Sequence, residues 1–269
     1  MSDTRPIGVF DSGVGGLTVL SQIEAILPAE SIVYFGDTAR VPYGTKSRET
    51  VTKFSVENVE FLMAHDVKMV VAACNTASSL SLDFLKRCFK VPIIGVIGPG
   101  AKAASSVSRN NRIGVIGTTA TISSGAYEKA IKKISLKNSV FTQSCPLFVP
   151  LVEEGWVDKG VAYDIAKIYL MPLKRKRIDT LILGCTHYPI LKKIIKKVMG
   201  KDVLLVDSAK EVAKEAKAML DLLGTLNRSG ASARYKFFVS DEPERFIRIG
   251  QRFLKKRISC SKTGGIDYV

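Results

Sequence analysis

Two cysteines in this 269-residue chain stand in matching settings. Met69-Val-Val-Ala-Ala-Cys74-Asn75-Thr76 and Thr180-Leu-Ile-Leu-Gly-Cys185-Thr186-His187 each run through apolar residues to a small residue, a cysteine and two polar or hydrogen-bonding residues. A short apolar run of this kind reads as a buried strand followed by a turn, which sets the thiol at the strand's carboxyl end. Open α/β sheets bind their ligands there. If both thiols face one cleft, each can act as a base on its own side of a flattening carbon centre, one removing a proton while the other delivers one. A thiol of ordinary pKa ~8.5 needs a polar partner or a favourable dipole to do this near neutrality. His187, two residues after Cys185, and Asp11, at a neighbouring strand end, are the candidates. Two other chemistries fit less of the pattern. Covalent catalysis by one cysteine with His187 as base leaves the second thiol without a purpose, and a two-lobed binding protein for a small acid needs neither thiol.

The elements that would position these groups alternate between strand and helix. Ile7–Phe10 reads as the first strand, and Asp11-Ser12-Gly-Val-Gly-Gly16 as the turn into a helix over Leu17–Ile26. Asp11 and Ser12 either cap that helix or contact a ligand at the sheet edge. The turn is not a P-loop, since no Gly-Lys-Ser/Thr follows. Strands are expected at 31–35, 68–73, 91–94, 112–116, 178–183, 202–206 and 234–239. Helices are expected over 47–64, from 76 to Cys88, and over 158–173, 189–199, 207–223 and 242–254. Gly95–Gly100 reads as a crossover and 141–150 as irregular, with Cys145 assigned no role. Glu153-Glu154 is either a helix start or a site wall. Cys88 is expected to be a small buried hydrophobe inside its amphipathic helix, and His65 to end a helix without a chemical function.

Arg112-Ile-Gly-Val-Ile116 repeats the pattern of Pro6-Ile-Gly-Val-Phe10. The repeated Ile-Gly-Val starts lie 106 positions apart, at 7 and 113, and the cysteines 111 apart, at 74 and 185. Two similar α/β halves with a small insertion account for both spacings. Strand-end residues contributed by two halves imply a cleft between them, where small-molecule sites commonly lie.

Composition excludes several other classes. The chain is 46% hydrophobic with no low-complexity tract, and no apolar run approaches the ~18 residues of a membrane span. Its first six residues are polar and no secretory apolar region follows, so a cytoplasmic location is expected. The five scattered cysteines read as free thiols. With only His65 and His187 and no CxxC, no metal site is expected. The net charge of +15 is uneven: residues 101–210 carry 19 Lys/Arg against 8 Asp/Glu, and residues 1–100 carry 9 against 10. Clusters such as Lys174–Arg177 and Lys192/Lys193 with Lys196/Lys197 read as solvated helix faces. A basic surface attracts nucleic acid non-specifically, but no recognition motif accompanies it, so nucleic acid is not expected as a partner.

Five linked motifs stand together in order: Phe10-Asp-Ser-Gly-Val-Gly-Gly-Leu17; Gly36-Asp-Thr with Pro42-Tyr43-Gly44; Ala73-Cys-Asn-Thr-Ala77; Gly114-Val-Ile-Gly-Thr118 with Thr121; and Gly184-Cys-Thr-His-Tyr-Pro189. In this the chain resembles the glutamate racemases, from the first strand to about Asp207. The resemblance implies cofactor-independent interconversion of L- and D-glutamate by two thiols, supplying D-glutamate for peptidoglycan. It implies that Cys74 takes the proton from D-glutamate and Cys185 from L-glutamate, assisted by Asp11, His187 and Glu153, the last preferred to Glu154. Ser12, Tyr43, Gly44, Asn75, Thr76, Thr118, Thr121 and Thr186, with Asp11 and His187, would bind substrate. The implied fold is α/β, with two pseudosymmetric domains, each a mostly parallel sheet flanked by helices, and the active site between them. The first domain would comprise 1–97 plus 211–269 and the second 98–210. A homodimer is expected, with no membrane association. Control through the N-terminal extension of some members is not expected, since six residues precede the first strand. Aspartate is the rival substrate, because one methylene is worth only ~1–3 kcal/mol in discrimination by packing.

Overall fold

The structure is a computed structural model that describes residues 2–254 and 257–262. The expected extension of the first domain to residue 269 therefore reaches beyond the described residues. Among the described residues ten strands build two sheets whose pairings are all parallel. They are β1 (Ile7–Asp11), β2 (Ile32–Gly36), β3 (Met69–Ala72), β4 (Ile93–Gly95), β5 (Arg112–Gly117), β6 (Ser139–Ser144), β7 (Thr180–Gly184), β8 (Leu204–Val206), β9 (Tyr235–Val239) and β10 (Ser261–Lys262). The first sheet runs β10-β9-β2-β1-β3-β4 and the second β6-β5-β7-β8. Four strands of each sheet share one order, so β1 to β4 correspond to β5 to β8.

Register makes this correspondence exact at the thiols. Ile7 pairs with Met69 across β1 and β3, and Ile113 with Thr180 across β5 and β7. Met69 and Thr180 differ by the same 111 positions as Cys74 and Cys185. Each cysteine therefore leaves an equivalent point of an equivalent strand. β1, β2, β3 and β7 are buried along their whole length and read as continuous Val/Ile/Leu-rich runs, as strands covered on both faces must.

The apolar residues form three layers. One lies on the outer face of the first sheet, with Phe10, Val33, Phe35, Val51, Val59 and Leu62. Another lies on the outer face of the second, with Phe148, Ala166, Leu170, Leu183 and Ile195. The middle layer is shared: Ile7, Val9 and Leu20 of the first half join Ile113, Val115 and Ile182 of the second, bound together by Val212, Ala213, Ala216 and Leu220. The helices Ile97–Val107 and Ser208–Leu222 contribute to this layer, so the two connections between halves are themselves packed core.

Several sequence expectations are corrected. The crossover at Gly95–Gly100 is the start of the helix Ile97–Val107, which accepts Pro99 because the first turn has no intrahelical donor to lose. The stretch 141–150 is irregular only over Cys145–Leu147, between the end of β6 and the start of the helix Phe148–Glu153. Glu153-Glu154 accordingly ends a helix rather than starting one. The helix expected over 189–199 is a 3-10 turn, Tyr188–Leu191, followed by the α-helix Lys192–Met199. The helix running to Cys88 is broken at Ser81, and its second piece buries only Leu85, so Cys88 is exposed rather than a core residue. Nor is the basic cluster wholly a solvated face. Lys174 donates to the carbonyl of Val198 at 2.8 Å, and Lys196 to those of Lys201 at 2.9 Å and Val203 at 2.6 Å. Cations near helix ends satisfy carbonyls left unpaired there.

The chain's return to the first sheet is fastened at the sheet's lower edge. Lys68 is buried against Glu30 at 2.6 Å and donates to the carbonyls of Asp3 and Thr225, both at 2.7 Å. Removing one member of such a buried pair typically costs ~3–5 kcal/mol.

Candidate active site

Cys74 and Cys185 line one cavity, at the carboxyl ends of both sheets, with about 420 Å³ of space free of protein atoms. Ser12, Gly13, Tyr43, Gly44, Asn75, Thr76, Thr118, Glu153, Thr186 and His187 share the wall. Nearly every site residue expected from the sequence is thus brought together. Asp11 and Thr121 lie just behind the wall. Asp11 is fully buried, and Thr121 joins a hydroxyl cluster with Thr76 at 3.2 Å and Thr118 at 2.9 Å.

Local structure places each group. Cys74 occupies the N-cap position of the helix Asn75–Leu80, so its sulfur sits where the first backbone amides are unpaired. Thr118 caps the helix Thr119–Ser123 through the amide of Thr121 at 3.2 Å, and Thr76 reaches it from the opposite half at 2.9 Å. Two glycines permit this close approach of the halves. A Cβ on Gly15 would fall 2.2 Å from Thr186 Oγ1 and 2.6 Å from His187 Nδ1, and one on Gly44 would fall 2.6 Å from Thr118 Cβ. A buried network sets Tyr43: its hydroxyl bonds Asp37, Asn58 donates to it at 3.0 Å, and Arg40 pairs with Asp37 at 2.7 Å.

The electrostatic settings of the two thiols differ. Cys74 Sγ lies 3.7 Å from Ser12 Oγ, and burial together with the nearby Asp11 carboxylate pushes its thiol up to about 12. It is therefore neutral at neutral pH. Burial also raises Asp11 above the usual carboxylate range, although the charge of His187 acts against this. One oxygen of Asp11 accepts from the Gly13 amide at 3.1 Å, while the other is buried with no hydrogen-bond partner among the described residues.

Cys185 Sγ lies 3.9 Å from His187 Nδ1, whose Nε2 meets Glu153 Oε1 at 3.1 Å. Burial disfavours a charged imidazole, but the hydrogen bonds to Cys185 and Glu153 outweigh it and raise His187 to about 10. Burial would lift Glu153, yet His187 and Arg245 hold it below its ordinary range. Of the adjacent acids, Glu153 is the one in the site; Glu154 is exposed and pairs with Arg245 at 3.8 Å.

Sequence reasoning did not single out Gly13, Val41, Pro42 and Val149 on the wall, nor Arg245, which bonds Glu153 Oε2 at 3.3 Å. Gly13 and Pro42 stood inside noted motifs and could have been read as wall. Arg245, 92 positions from Glu153, carries no local signal. Among the described residues no group of three or more His, Cys, Asp or Glu side chains is arranged to hold a metal ion, and no helix is long and apolar enough to cross a membrane.

Residues 7–233 match the Asp/Glu/Hydantoin racemase family. A glutamate racemase of Geobacter metallireducens is 53% identical over 250 residues, covering 93% of each chain. Among solved structures, a glutamate racemase isoform of Bacillus anthracis superposes with a TM-score of 0.93 at 44% identity, covering 96% of this chain and 97% of the other. The Francisella tularensis glutamate racemase, solved in complex with D-glutamate, gives 0.92 at 41% identity, covering 99% of this chain and 100% of the other.

Proposed function

The chain belongs to the Asp/Glu/Hydantoin racemase family and is an amino-acid racemase, and from that premise we propose that it interconverts L- and D-glutamate by two-base proton transfer between Cys74 and Cys185. The observation that carries this reading is the placement of two thiols at equivalent strand ends on one small cavity.

In the L-to-D direction Cys185, beside the His187 imidazolium, removes the α-proton. The Cys74 thiol, neutral in the resting site, delivers its own proton to the opposite face. In the reverse direction Asp11 takes the proton of Cys74, Cys74 removes the α-proton of D-glutamate, and Cys185, with the His187 imidazolium behind it, delivers a proton to the opposite face. A positioned acid or base contributes ~10²–10⁴-fold. Glu153 holds the imidazole of His187 in orientation and favours its charge. Ser12, Tyr43, Gly44, Asn75, Thr76, Thr118 and Thr186 bind the substrate's carboxylates and amine, with Thr121 fixing Thr118 and Thr76 from behind.

The same reading takes residues 1–97 with 211–269 as one domain and 98–210 as the other, a homodimer as the working assembly, and D-glutamate supply for cytoplasmic peptidoglycan precursors as the role. The test is circular dichroism of L- and D-glutamate and L- and D-aspartate with the purified protein, in EDTA and without pyridoxal phosphate. Both glutamate enantiomers should lose their signal to the racemate, with aspartate slower. A glutamate signal that does not change overturns the reading.

A further inference from the structure

One aromatic ring touches the neighbours of both thiols. Tyr127 stands in the first turn of the helix Ala126–Ile134, in the second half of the molecule, and is 2% exposed. Its hydroxyl donates to Asn75 Oδ1 at 2.7 Å, across to the residue that follows Cys74. On the other side its ring packs on the residue that precedes Cys185, since a Cβ on Gly184 would lie 3.1 Å from Tyr127 Cε2. Both inter-half connections close around the same ring. A Cβ on Gly100 would lie 3.3 Å from Tyr127 Cε1 and 3.1 Å from the Cβ of Ser208, at the start of the second connecting helix.

We propose that Tyr127 is a positioning residue for the reaction: its ring spaces the two strand ends that carry the thiols, and its hydroxyl holds the Asn75 amide with its NH₂ end free for a substrate carboxylate. An asparagine amide offers a carbonyl acceptor at one end and two donors at the other. With the carbonyl engaged by Tyr127, the donor end of a cavity-lining residue is left for an anion. A glycine at 184 lets the ring approach the β7 end, so the separation of the strand ends is set by an aromatic thickness rather than by loops. This inference rests on the reading of the cavity as a glutamate racemase site.

Tyr127→Phe keeps the ring and deletes the hydroxyl. It should raise KM for both enantiomers roughly 10-fold, as expected when a hydrogen bond to a charged group is lost, and leave kcat within about 3-fold. In an Asn75→Ala background the same substitution should change KM by less than about 2-fold, because interacting positions are non-additive. Tyr127→Leu removes the spacer and should lower kcat ~10²-fold, since a misplacement of about 1 Å suffices for that. Thermal melts confirm that each variant is folded. An unchanged KM in Tyr127→Phe, an equal factor in both backgrounds, or an unchanged kcat in Tyr127→Leu overturns the proposal. If the wild-type protein turns over neither glutamate enantiomer, the racemase reading fails instead. The crystal structure of Tyr127→Phe then decides on positioning alone: an Asn75 side chain turned from its wild-type rotamer supports it, and one left in place overturns it.

Discussion

The Cys74 and Cys185 sides of the cavity share one topology and differ in charge. Each sulfur leaves an equivalent parallel strand two residues past a matched pair, Phe10 with Ala72 or Ile116 with Leu183. Cys74 then meets a hydroxyl and a buried carboxylate, and burial together with that carboxylate keeps it a neutral thiol although the Ser12 hydroxyl acts against this. Cys185 meets an imidazolium held by Glu153. The repeated framework thus sets where the two sulfurs stand, while unrepeated loop residues set the charge beside each. In the proposed cycle this primes the resting site for L-glutamate. The asymmetry is thermodynamically bounded: enantiomers have equal free energy in water, so kcat/KM must be the same in both directions. Differences between the sides must show in kcat, in isotope effects and in pH dependence.

The harshest way to break the comparison is to remove a sulfur. Cys74→Ala and Cys185→Ala should each lower racemisation by at least ~10³-fold, within the range for loss of an essential acid or base. A coupled or polarimetric assay that finds either variant within 10-fold of wild type would show that the sides are not both needed.

Next is the charge beside Cys185. His187→Gln should cost ~10²-fold in turnover and raise the primary isotope effect on α-deuterated L-glutamate, because Cys185 then limits the rate. The effect on α-deuterated D-glutamate should fall. The same variant carries a stability signature. The folded value of His187, about 10, lies above its ordinary 6.5, so its contribution is complete below the lower value and gone above the higher. The melting-temperature gap between wild type and His187→Gln should therefore shrink as pH rises through that window.

Glu153→Gln retains the shape but not the charge that supports His187. It should cost roughly 10-fold in turnover and move the alkaline limb of the pH profile to lower pH, since the imidazolium loses a raising partner. Glu154→Gln is the companion control; with an exposed carboxylate paired to Arg245, it should change kcat and KM by less than ~2-fold.

Much of the symmetric half of this comparison was legible in the sequence. Parallel strands buried on both faces announce themselves as short apolar runs, and the Ile-Gly-Val and Cys repeats fixed their correspondence before any coordinates. The asymmetric half was legible only in part. His187 lies two residues from Cys185 and Asp11 at a strand end, so both could be found locally. Glu153 could not be told from Glu154, since which of two neighbours faces inward depends on where the helix Phe148–Glu153 ends. Arg245 and Tyr127 left no local mark, because a charged helix residue and a helix aromatic are ordinary in sequence and gain meaning only from partners 92 and 52 positions away. Cys88 was misread because a break at Ser81 changes which face of the following turn is buried.

In the proposed cycle each thiol serves one enantiomer. This is tested most directly by following α-proton exchange in D₂O by NMR, with each single cysteine variant and each pure enantiomer. A thiolate that exchanges with solvent can return a deuteron to the face it took the proton from. Cys74→Ala should then exchange L-glutamate and not D-glutamate, with retention of configuration, and Cys185→Ala should do the reverse. Exchange of the same enantiomer by both variants, or of both enantiomers by either, would contradict the account.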